Sequence, residues 1–206
     1  MNPGLVCVVA DKNIEAVIST LVRERRRSIR LREFSVEVHV HPLRDPGCYR
    51  GGPEFLRGLL GDTPARGLLV FDQAWEGNPH PSAADTERAV REQFAALGIA
   101  DRAEVVVIEP EIEAWVWSRS PHVERVLGWA GARPPLREWL KIRGLWPEDR
   151  AKPADPKAAV EDALREKRIP RSSALYRELA EKVTLRGCQD AAFGRLCDVL
   201  RRWFQA

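Results

Sequence analysis

The sequence predicts an α/β protein: a mostly parallel four-stranded sheet with flanking helices, followed by a region of helices alone. Three observations carry this. Short apolar runs recur at residues 5–10 (L-V-C-V-V-A), 67–71 (G-L-L-V-F) and 104–108 (E-V-V-V-I), as in strands buried on both faces. Between them, apolar residues fall at helical spacing, so strand and helix alternate. Beyond about residue 118 the strand signal stops. We therefore divide the chain into an α/β domain, 1–118, and a helical C-terminal region, 119–206, packed on it.

A chain of 206 residues is long enough for one sizeable core. Its 44% hydrophobic and 31% charged residues describe a globular chain, not a disordered one. A net charge of +3 does not by itself point to a polyanionic partner, so basic patches have to be judged locally. The cysteines at 7, 48, 188 and 197 show no CxxC spacing, which argues against structural zinc and a disulfide framework. No apolar run is long enough to span a membrane, and no basic segment followed by a long apolar one opens the chain. The expected location is cytoplasmic, with no membrane partner.

The first strand ends at Asp11, and Asn13 is placed to cap a helix with Ile14, Val17, Ile18, Leu21 and Val22 on its apolar side. That helix runs into Arg23, Arg25, Arg26, Arg27, Arg30 and Arg32. The cluster reads either as a solvated helix end or as a phosphate-contacting patch. Residues 34–41 (F-S-V-E-V-H-V-H) alternate as a half-buried strand does, nearer a sheet edge. His39 and His41 share one of its faces, an i, i+2 pair better read as structural than as a metal site, since no cysteine or third histidine lies near. The prolines and glycine of residues 42–48 predict a rigid loop that holds Arg44 and Asp45 at the same sheet end as Asp11. Gly52 and Pro53 start a short helix, and Asp72 ends the next strand. Ser82 or Asp85 caps a helix with Val90, Phe94 and Leu97, which Gly98 stops. In the C-terminal region, Asp155-Pro156, then Ser172 or Ser173, open further helices, and a last one carries Leu196, Leu200 and Phe204. Six of the seven tryptophans lie at or beyond Trp115, which predicts tight packing of this half against the sheet.

Residues 105–117 (V-V-V-I-E-P-E-I-E-A-W-V-W) form the centre of the functional reading. Pro110 stops the strand and can serve as the first residue of a helix bearing Ile112, Trp115 and Val116. Glu109, Glu111 and Glu113 then crowd the strand tip and the first helical turn. Acids are ordinary at a helix start. Acids at each successive strand end (Asp11, Asp45 through its loop, Asp72 and this group) are harder to dismiss, because unpaired carboxylates repel and a cation compensates them. In an open parallel sheet, ligands sit beyond these strand ends. Oxygen-only ligands favour Mg²⁺ or Mn²⁺ over zinc.

Three segments, V-V-A-D-K-N-I-E around Asp11, L-L-V-F-D-Q-A-W-E-G around Asp72 and P-E-I-E-A-W around Glu111, resemble the Toprim-like families, including small bacterial proteins found near defence genes. The resemblance covers roughly residues 4–118. It departs from the pattern in having Asp11 where a Glu is usual, and Ala74 in place of the second acid of Asp-x-Asp, with Glu76 nearby. The resemblance implies metal-assisted phosphoryl transfer, most simply nucleic-acid cleavage in anti-phage defence, with one or two Mg²⁺ (or Mn²⁺) ions. Asp11, Asp72, Glu76 and Glu111 or Glu113 would hold the metal; Arg44 would stabilise transition-state charge and Lys12 would contact phosphate. DNA or RNA and other defence-system proteins are the implied partners. The competing expectation is a non-catalytic subunit that uses the same fold as a binding platform.

Overall fold

The computed structural model describes residues 4–185 and 188–206. Four strands, β1 (Leu5–Val9), β2 (Val36–Val40), β3 (Arg66–Asp72) and β4 (Ala103–Ile108), form one all-parallel sheet in the order β2-β1-β3-β4. Cys7 stands between Val38 and Leu68 in register, and Val9 between Val40 and Val70. Asp11 and Asp72 each lie two residues beyond the Val9–Val70 pair, so the register brings them level at one end of the sheet. β2 is an edge strand, which fits its half-buried pattern.

Helices α1 (Lys12–Arg23), α2 (Arg44–Arg50), α3 (Gly52–Leu60) and α4 (Ala83–Ala96) join the strands. Ile14, Val17, Ile18, Leu21 and Val22 are all buried, as their spacing predicts. The cap of α1, however, is Asp11 and not Asn13: its Oδ1 accepts from Asn13 N and Ile14 N at 2.9 Å each. A full negative charge at the positive helix end is the stronger partner. Residues 44–50 are also helical where a loop was expected. Pro46 falls in the first turn of α2, where no N–H is needed. Gly47 lets this helix approach His41, for an added Cβ would lie 2.3 Å from the imidazole Nδ1. Ser82 caps α4, and Gly98, at φ +70°, follows its end.

The C-terminal region consists of α5 (His122–Val126), α6 (Leu136–Ile142), α7 (Pro156–Glu166), α8 (Ser173–Lys182) and α9 (Ala191–Phe204). α8 lies against α1 and α9 against β4. Val17 and Leu21 of α1, Leu179 of α8 and Phe193 of α9 line one apolar cavity, so these three helices share a layer. Buried side chains form one continuous core from Leu5 to Phe204. On the free side of β4, side chains engage the backbone of Val107. Glu87 Oε1 accepts from Val107 N and from Arg195 Nε, both at 3.0 Å, and Arg195 Nη2 donates to Val107 O at 3.1 Å. No helix among the described residues is long and apolar enough to cross a membrane.

Candidate metal centre

Past β4, Ala74 N donates to Pro110 O at 2.9 Å and draws the backbone toward the loop after β3. Glu111 is extended, and only a single 3-10 turn follows, Ile112–Trp115, in place of the helix expected from Pro110. This folds Glu111 and Glu113 back over the end of β3. One carboxylate oxygen each from Asp72, Glu111 and Glu113 lies within 4.8 Å of the others. Asp72 is 8% exposed and Glu113 fully buried, and Asp72 Oδ1 and Glu113 Oε2 have no hydrogen-bond partner among the described residues. Buried, unpartnered carboxylate oxygens are costly unless something neutralises them. An oxygen-only cluster of this kind fits a hard divalent cation.

Two further acids border the cluster. Asp45 Oδ1, carried by α2, accepts from Asp72 N at 2.9 Å. Asp11 stands level with Asp72, but one of its oxygens caps α1 and it is not among the three converging ligands. Burial pushes the Asp72 carboxyl well above its ordinary range, and the charges of Asp45, Glu113, Asp11 and Glu111 push it the same way. Burial also raises Asp45 and Glu111, against the Asp72 N–H in the first case and Lys157 in the second.

The chain matches no family model, no curated protein and no solved structure.

Glu76 is exposed in the loop after β3 and stands outside the triad. Lys12 is exposed and pairs with Glu15 at 2.8 Å. Arg44 is exposed, with a left-handed backbone at φ +53°. Asp11, Lys12 and Arg44 line a cleft of about 230 Å³ beyond β1 and β2, beside the acids. Glu109 turns to α4, accepting from Ala83 N at 3.4 Å. His41 is buried and accepts from Leu43 N at 3.2 Å, and His39 lies 3.5 Å from Glu37. The arginine segment lies at the far end of α1, about 18 Å along a helix of this length from the acids. There Arg25 donates to the carbonyls of Ala180 and Val183, closing the end of α8.

The sequence reading missed three residues, all from the C-terminal region. Lys157 Nζ meets Glu111 Oε2 at 2.7 Å. Arg171 Nη2 and Tyr176 OH both donate to Glu113 Oε1, and Arg171 Nε donates to Tyr176 OH at 2.9 Å. The bond to Glu111 raises the Lys157 pKa. Burial, and then Glu113, raise that of Tyr176, so its hydroxyl stays a donor.

Proposed function

We propose that this chain is a metal-dependent phosphoryl-transfer enzyme, a nuclease acting on DNA or RNA, with anti-phage defence as the setting its Toprim-like segments imply. One observation carries the proposal: the converging Asp72, Glu111 and Glu113 carboxylates, two of which carry a buried oxygen without a partner among the described residues. Asp72, Glu111 and Glu113 would hold Mg²⁺ or Mn²⁺, which would supply a Lewis acid to neutralise phosphate and lower the pKa of water. Asp72 and Glu113 offer the free oxygens. Arg171 and Tyr176 fix the rotamer of Glu113, and Lys157 that of Glu111. Lys12 and Arg44 line one cleft together with Asp11, which supports reading them as phosphate contacts.

A non-catalytic binding platform is the second reading. It is favoured by Lys157 and Arg171, which already pair with two of the three acids, and by Ala74, which replaces an expected acid. Nuclease assays on single-stranded DNA, duplex DNA and RNA with Mg²⁺ or Mn²⁺ separate the two. In an enzyme, Asp72→Asn lowers cleavage at least about 100-fold, because one charged ligand secures several kcal/mol of transition-state stabilisation. Turnover that survives Asp72→Asn rejects this site. A wild type without turnover on any of the substrates supports the platform.

A further inference from the structure

Lys157 stands at the unfavourable end of its helix. It occupies the first turn of α7, which carries no acidic residue, and there the free N–H groups already disfavour a cation. The turn is nevertheless held firmly. Pro156 opens the helix, Asp155 Oδ1 accepts from Ala158 N at 2.9 Å, and the buried Trp117 Nε1 donates to Pro156 O at 3.0 Å. The Lys157 side chain, 43% exposed, runs from this anchored start to the cluster. Its ammonium meets Glu111 at 2.7 Å.

The opposite flank of the cluster is fixed as well. Glu113 Oε1 accepts from Arg171 and Tyr176 and leaves Oε2, buried and unpartnered, as its free oxygen. Each glutamate therefore has one oxygen engaged by the C-terminal region. A second cation about 3.5–4 Å from the first would need a further carboxylate oxygen on the Glu111 flank. There Glu111 Oε2 is already occupied by the Lys157 ammonium.

Building on the proposed reading of the acid cluster as a metal site, we propose that it takes a single divalent cation and that the Lys157 ammonium fills the place of a second.

Mn²⁺ titration of the full chain, with free Mn²⁺ read by electron paramagnetic resonance, counts the ions directly and needs no substrate. The wild type is expected to bind one ion per chain. Lys157→Arg, which keeps the charge, binds one, and Lys157→Met binds two; Lys157→Gln serves as an independent replacement should the Met variant not fold. Two ions in the wild type, or one in both neutral variants, overturn the single-cation inference and leave the metal reading intact. No ion in the wild type overturns both.

Discussion

Asp72 is buried beside Asp45, Glu113, Asp11 and Glu111, and without a cation its ionised form is disfavoured. Its folded pKa is raised, so the unfolded chain ionises first as the pH climbs through the ordinary carboxylate range near about 4. Stability is therefore lost from that point up to the folded pKa and stays reduced above it. Asp72→Asn removes the cost. The metal-free variant is expected to melt above the wild type at pH 7, by about 2–4 °C for each kcal/mol relieved. The gain should vanish below about pH 4, where both states of the wild type are protonated. Melting curves at the two pH values check this, and equal gains at both would trace the effect to hydrogen bonding. Asp72, Glu111 and Glu113 were legible in the sequence because a strand end is a local signal and parallel register aligns such ends. Lys157, Arg171 and Tyr176 were not, because they reach the acids through packing of α7 and α8, which local periodicity does not encode. A lysine in the first turn after Asp155-Pro156 was the one available clue.

At the scale of elements, the sheet and α1, α3 and α4 could be read directly, since buried strands and amphipathic helices have distinct periods. The misread pieces lie where tertiary contacts override local pattern. Prolines at 42 and 46 suggested a loop, yet Pro46 is accommodated in the first turn of α2. The expected helix after Pro110 shrinks to one 3-10 turn because that backbone is tied to Ala74. The side-chain bridge at Val107 was equally hidden: it joins α4, β4 and α9 through Glu87, which is 3% exposed, and Arg195. Removing the arginine leaves a buried carboxylate with Arg91 at 3.4 Å as its remaining ion-pair partner among the described residues. Arg195→Ala is expected to cost about 1–3 kcal/mol, a range that allows for the partial exposure of Arg195. Urea unfolding measures it, and a loss below about 0.5 kcal/mol would mean that water replaces the guanidinium freely.

Over the whole molecule, the division at residue 118 separates strand-bearing from helical sequence, yet the core runs through both. α8 packs on α1 and α9 on β4, and the Phe204 ring stacks on Phe34 at 3.9 Å. Residues 1–118 expressed alone are therefore expected to bind the dye ANS and to lose a cooperative thermal transition. A sharp melt without dye binding would show that the α/β part folds by itself. At β2, Arg23 Nη2 donates to Val36 O at 3.1 Å. In the language of polymerisation, the Glu87–Arg195 bridge is a chain stopper at Val107: a strand arriving at β4 would have to displace two charged side chains before it could pair with that residue.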